Sequence, residues 1–100
     1  MILPQISPYV LRLEKAAAKS FARLDRQEYA RVWEALLNLC ASGYGDVSPI
    51  TGYAKGSLRL RVGDNRVLLF VDGFVIEVIG IEPRGKAYKS KNLGKLKKRK

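Results

Sequence analysis

Ser57-Leu-Arg-Leu-Arg-Val-Gly-Asp-Asn-Arg-Val-Leu-Leu-Phe-Val-Asp-Gly-Phe-Val-Ile-Glu-Val-Ile-Gly-Ile-Glu-Pro-Arg-Gly-Lys-Ala-Tyr88 decides how this chain folds. Leu58, Leu60 and Val62 alternate with Ser57, Arg59 and Arg61, the period of a strand with one apolar face. Gly63-Asp-Asn65 turns the chain, and Arg66 to Val71 forms the next strand. Asp72-Gly73 reads as a two-residue hairpin, because Gly takes positive φ without cost and Asp tolerates it better than most. Phe74 to Ile81 completes the set. The last two strands are apolar on both faces apart from Glu77, which predicts a central or well-covered position. Pro83 has no N–H to give a ladder and is expected to end the pairing.

Upstream, Asp25 to Ser42 reads as the most secure helix. Asp25-Arg-Gln-Glu28 fits a capping box in which Asp25 accepts a backbone N–H and Glu28 reaches back, with Leu24 and Tyr29 as a hydrophobic staple. Tyr29, Trp33, Leu36 and Cys40 make an apolar stripe, widened by Val32, Leu37 and Leu39. That stripe is read as core, with Cys40 as a small buried hydrophobe. Gly43 stops the helix. Glu14 to Leu24, rich in alanine, forms a first helix with Ala17, Phe21 and Leu24 on one face, and a short link folds the two into an antiparallel hairpin. Pro8 to Leu13 alternates as a first strand, and Gly43 to Gly56 reads as loop. The expected class is α+β, ordered β-α-α-β-β-β, with the helical hairpin packed on one face of an antiparallel sheet.

The 100 residues make one domain, and at 47% apolar they build a modest core. No apolar run approaches the roughly 18 residues a membrane span needs, so no membrane partner is expected. Met1-Ile-Leu-Pro4 lacks the basic region and apolar stretch of a signal peptide. The chain has a single cysteine, Cys40, which rules out an internal disulfide. Together these features predict a cytoplasmic protein. With no histidine and one cysteine, an ordinary zinc site and Ser-His-Asp or Cys-His catalysis are excluded, and no cofactor is expected.

The net charge is +10, unevenly placed. Residues 86–100 hold eight Lys/Arg and no acid, while the other eleven share the first 85 residues with all nine acids, leaving +2 there. Residues 90–100 therefore read as a basic tail on a domain spanning 1–89. Such tails bind polyanions by releasing counterions, or simply keep a chain soluble.

Arg59 and Arg61, two apart, project from one face of their strand. Lys55 lies just upstream, Arg66 opens the next strand, and Arg84 leaves the last one with Tyr88 four residues on. If these strands are neighbours, the groups line one basic surface. Guanidinium grips phosphate in a fork, stays charged, and stabilises charge that builds on a phosphorane-like transition state. A tyrosine stacks on a base and carries a hydroxyl for proton transfer. RNA supplies its own nucleophile in the 2′-hydroxyl, so neither metal nor histidine is required. The bland reading is a solvated strand face, with Arg66 or Arg84 paired to Glu77 or Glu82.

At these residues the chain resembles the RelE/ParE toxin superfamily, the small basic toxins of type II toxin–antitoxin pairs. Leu58-Arg-Leu-Arg-Val-Gly-Asp-Asn-Arg-Val67, Phe70-Val-Asp-Gly-Phe74 and Arg84-Gly-Lys-Ala-Tyr88 fall in the family's order, behind a matching helical hairpin. The motifs are short, and their combination over about residues 8–89 is what carries the resemblance. It implies a RelE-like fold, a cognate antitoxin that masks the basic surface or displaces the C-terminal segment, and mRNA cleavage in the ribosomal A site. Carried over, Arg59 and Arg61 hold the RNA backbone, and Arg66 stabilises the transition state. Arg84 contacts phosphate or protonates the leaving group, and Tyr88 orients the nucleotide. The implied catalytic set is Arg61, Arg66, Arg84 and Tyr88. Lys55, Arg59, Lys86, Lys89 and Lys91 are the RNA-binding set, with ribosomal RNA among the expected contacts. Glu82-Pro83 departs from the pattern, since many relatives carry a basic residue or histidine there, and the general base is unassigned. ParE-type members share the fold and target DNA gyrase, so a gyrase inhibitor stands as the alternative, beside an inactive relative that only binds RNA or antitoxin.

Overall fold

Val32, Leu36, Leu39 and Cys40 form the line of the long helix that meets the sheet, each buried. In the computed structural model, which describes residues 8–83, the elements run β1 (Val10–Leu13), α1 (Lys15–Ala22), α2 (Arg26–Ser42), β2 (Val47–Pro49), β3 (Ser57–Val62), β4 (Asn65–Asp72) and β5 (Val75–Pro83). Asp25 caps α2 as its sequence predicts: Oδ1 accepts the Glu28 backbone N–H at 2.8 Å. Gly43 closes the helix in the left-handed region, its N–H donating to the Leu39 carbonyl at 2.8 Å. The stripe is narrower than the sequence suggests. Tyr29 is 45% exposed and Leu37 58% exposed, because the i, i+4, i+7, i+8 line from Val32 already fills the space over the sheet. Trp33 is half-buried at the flank and stacks on Phe21 of α1, with ring centroids 4.8 Å apart. Phe21 also meets the edge of Tyr29 at 5.8 Å, so aromatic packing locks the helical hairpin.

The helices cover one face of a five-stranded sheet ordered β1-β5-β4-β3-β2. The sheet is mixed, which corrects the expected antiparallel arrangement. β2, β3, β4 and β5 are antiparallel neighbours, and β1 joins β5 in parallel from Val10↔Val75 to Leu13↔Val78. Tight hairpins force their strands antiparallel, but no hairpin links β1 to β5, so nothing local dictates its direction. The first strand is also shorter than Pro8–Leu13.

Two more differences concern turns. The segment read as loop from Gly43 to Gly56 contains β2, which pairs Val47 with Leu60 and Pro49 with Leu58. The last hairpin turns at Gly73-Phe74 and not at Asp72-Gly73: Asp72 pairs with Val75, and Gly73 alone has positive φ, 59°. That is the pattern of a type II′ turn, whose first central residue is glycine, whereas a turn at Asp-Gly needs positive φ at the aspartate too. Pairing also runs through to Pro83, opposite Asn65, one step further than proline's missing N–H suggested.

The helix-side core takes Leu58 and Leu60 of β3, Val67 and Leu69 of β4, and Ile76, Val78 and Ile81 of β5. The opposite face has a second, smaller apolar cluster of Ile50, Leu68, Phe70 and Ile79, with Tyr53 and Ala54 packed over it. This explains why β4 and β5 are apolar on both sides. A bulge in the β4–β5 ladder, where Leu68 faces Gly80 and Leu69 faces Val78, leaves Ile79 as the extra residue. No helix among the described residues is long and apolar enough to cross a membrane.

Candidate nucleic-acid interface

The β3–β4 hairpin builds the site. Val62 pairs with Asn65, leaving Gly63-Asp64 as a two-residue loop, and Gly63 takes the positive φ of 59° that this tight turn requires. The register that follows sets Arg61 of β3 directly opposite Arg66 of β4, and Arg66 directly opposite Glu82 of β5. Cross-strand partners share a face with Cβ atoms about 5 Å apart. Three charged side chains thus form one row across the face that the helices leave uncovered. Like charges directly opposite repel; Arg61 is exposed to water, which screens it, and the Glu82 carboxylate flanks Arg66 on the other side.

Arg66 is half-buried, and its Nη1 donates to the turn carbonyls of Gly63 at 3.4 Å and Asn65 at 3.3 Å. Arg59 lies one row along the same face, opposite Leu68 and Ser48, half-buried with its Nε closed off from solvent. The structure therefore brings Arg59, Arg61 and Arg66 together as the alternation implied. It does not gather Lys55 with them: Lys55 is exposed in the loop before β3, at the opposite end of that strand from Arg61. Arg84, Lys86, Tyr88, Lys89 and Lys91 lie outside the described residues.

The far end of the same face differs in charge. There Arg12, Glu77, Phe70 and Ser57 fall in one row across β1, β5, β4 and β3. A depression of about 240 Å³ lined by Arg12, Phe70, Asp72, Val75 and Glu77 opens at this end. The face thus runs from an end where Asp72 and Glu77 stand beside one arginine, Arg12, to an end where Arg59, Arg61 and Arg66 stand beside one acid, Glu82, with the apolar cluster between. Among the described residues, no group of three or more His, Cys, Asp or Glu could hold a metal ion. Cys40 is buried between α2 and the sheet, and desolvation pushes its thiol up from the usual 9.0, which suits a packing residue and not a nucleophile.

Sequence reasoning missed one polar contact at this site. The Glu28 side chain does not reach back as the capping box predicted; its Oε2 accepts from Asn65 Nδ2 at 2.8 Å, joining α2 to the hairpin that carries Arg66. No spacing rule links residues 37 apart, and the Asp25-x-x-Glu28 pattern pointed to a local role.

No protein-family model and no curated protein matches the sequence. Solved structures do. The toxin–antitoxin complex RelBE2 of Mycobacterium tuberculosis matches with a TM-score of 0.69 and 20% identity, over 80% of this chain and 95% of that one. The archaeal RelE–RelB complex of Pyrococcus horikoshii matches with a TM-score of 0.64 and 27% identity, over 80% of this chain and 99% of that one. The YoeB dimer of Staphylococcus aureus has a TM-score of 0.61 at 15% identity, over 76% of this chain and 97% of that one. With two helices on a five-stranded mixed sheet, the chain has the RelE-like fold of these toxins, and its sequence pattern resembles the same group.

Proposed function

We propose that the protein is the toxin of a type II toxin–antitoxin pair and that it cuts mRNA on the ribosome. The observation that carries this reading is the Arg61–Arg66 cross-strand pair on the uncovered sheet face, with Arg59 beside it. Two forked guanidiniums at this spacing suit the non-bridging oxygens of one phosphodiester. In the reaction, the 2′-oxygen of a nucleotide attacks its 3′-phosphorus and gives up its proton. The bond from phosphorus to the 5′-oxygen of the next nucleotide breaks, and that oxygen takes a proton. The products are a 2′,3′-cyclic phosphate and a 5′-hydroxyl. Arg66 stabilises the extra negative charge of the pentacoordinate state, a role in which fixed cations do most of the catalytic work. Arg59 and Arg61 hold the backbone, and Lys55 extends the contact along the strand.

The remaining assignments rest on the resemblance. β5 delivers the chain at Pro83 beside Asn65, the neighbour of Arg66. From there Arg84 serves phosphate contact or leaving-group protonation, and Tyr88 orients the nucleotide. Lys86, Lys89 and Lys91, with the basic tail, grip RNA. The similar RelE structures are complexes with RelB, which favours an antitoxin partner for this chain. The test uses purified ribosomes programmed with a defined A-site codon. Cleavage of the bound mRNA, with a cyclic phosphate end and little cutting of the same RNA free in solution, supports the reading. Intact mRNA beside blocked supercoiling by purified gyrase moves the function to gyrase inhibition.

A further inference from the structure

We infer that Asn65 is a positioning residue for Arg66, held in place by Glu28 of α2; this rests on the reading of Arg66 as the transition-state arginine. Asn65 is 7% exposed and opens β4, pairing with Val62 on one side and Pro83 on the other. Its Nδ2 donates to Glu28 Oε2 at 2.8 Å, and its own carbonyl accepts from Arg66 Nη1 at 3.3 Å. One residue thus joins a helix, a turn and the guanidinium. The donor end of the carboxamide faces Glu28, whose oxygen accepts, and the orientation of the Asn65 side chain follows from that pairing.

Two surface grooves adjoin the Glu28–Asn65 contact. A groove of about 360 Å³ opens beside it, lined among others by Ser20, Leu24, Ile81 and Glu82, and a second of about 230 Å³ is lined by Arg31, Val62, Gly63 and Asp64. Both grooves also touch Glu28 and Asn65. The ladder pairs seat the hairpin tip in the sheet, and the hydrogen bond to Glu28 ties that tip to α2. Two carbonyls that accept from Arg66 Nη1, those of Gly63 and Asn65, belong to that tip, so the position of the tip bears on that of the guanidinium. Glu28 therefore acts on the reaction through Asn65, and neither residue touches the substrate.

The test is single-turnover cleavage on programmed ribosomes with the full chain, comparing wild type, Asn65→Asp, and Asn65→Asp combined with Glu28→Gln. The single change sets two carboxylates against each other; the second substitution restores a donor facing an acceptor, in reversed direction. Asn65→Asp is expected to lower kcat on the order of tenfold to a hundredfold, the scale of a small misplacement of a catalytic group. KM should change by no more than about twofold, the pattern of an interaction made in the transition state only. The double variant is expected to recover most of the loss, with both proteins folded by circular dichroism at the assay temperature. A folded Asn65→Asp with wild-type kcat, or a folded double variant no faster than the single, overturns the inference. If Asn65→Asp does not fold, Glu28→Gln alone decides: a neutral acceptor weakens the bond, kcat falls, and an unchanged kcat overturns the inference. Failure of the wild type to cut RNA overturns the underlying reading and is visible without any variant.

Discussion

Arg61 and Arg66 are register partners across the β3–β4 hairpin, on the sheet face that the helices leave uncovered. The placement follows from a two-residue turn at Gly63-Asp64. One residue more or less in that turn would shift the register and separate the pair. Charge on this face is therefore set by backbone geometry, and flexible side chains need only complete it.

The core should answer to burial and not to hydrophobicity. Leu36 is fully buried beneath α2, while its neighbour Leu37 is 58% exposed. Leu36→Ala is expected to cost about 3 kcal/mol. Leu37→Ala should stay within about 0.5 kcal/mol of wild type. Urea unfolding of the two variants checks the contrast, and equal losses would misplace the helix face.

Gly56 has φ of +96°, and a methyl group there would meet the Val71 carbonyl oxygen. The close approach is used: Val71 N–H donates to the Gly56 carbonyl at 2.9 Å. Gly56→Ala should destabilise by about 2 kcal/mol or more, through both the backbone conformation and the contact. Thermal unfolding measures it. Gly52→Ala is the control, since its φ is also positive, +88°, but nothing lies within 4 Å.

The strand alternation of β3, the cap at Asp25, the Gly43 stop and the two-sided burial of β4 and β5 are all legible in the sequence, because each depends on local periodicity or on one residue's backbone preference. The parallel seating of β1 on β5 was not legible, since it joins residues 65 apart, as in Val10↔Val75, with no turn chemistry to signal it. β2 was hidden by its length of three residues within a glycine-containing stretch. At the site, the shared face of Arg59, Arg61 and Arg66 could be read from spacing. The distance of Lys55 from that group and the Glu28–Asn65 bond needed the tertiary fold.

Burial of Cys40 has a consequence for the pH dependence of stability. Its folded-state pKa is raised above 9.0 by desolvation, so the folded protein holds the thiol proton more tightly than the unfolded chain does. The contribution is complete below pH 9.0 and is lost as the pH rises past it towards the folded pKa. Stability of wild type relative to Cys40→Ala should therefore fall above that pH. The native thiol should also react slowly with a thiol reagent and quickly in denaturant. Rapid labelling of the folded protein would contradict the burial.

Removing residues 91–100 deletes six of the basic residues: Lys91, Lys95, Lys97, Lys98, Arg99 and Lys100. Ribosome or RNA affinity should drop, and the slope of log K against log salt should flatten by about 0.7 for each phosphate that the tail no longer neutralises. Filter binding across a salt series reads this directly. An unchanged slope makes the tail inert in binding.

Primer extension on mRNA from cells, taken minutes after induction of the wild type or Arg66→Ala, is the most direct test of the arginine face. Discrete new 5′ ends within translated codons are expected with the wild type. Their loss is expected with Arg66→Ala, whose rate should fall on the order of a hundredfold or more. Its stability should change by about 1 kcal/mol or less. The same new ends from a folded Arg66→Ala protein would contradict the proposed role of the Arg61–Arg66 pair.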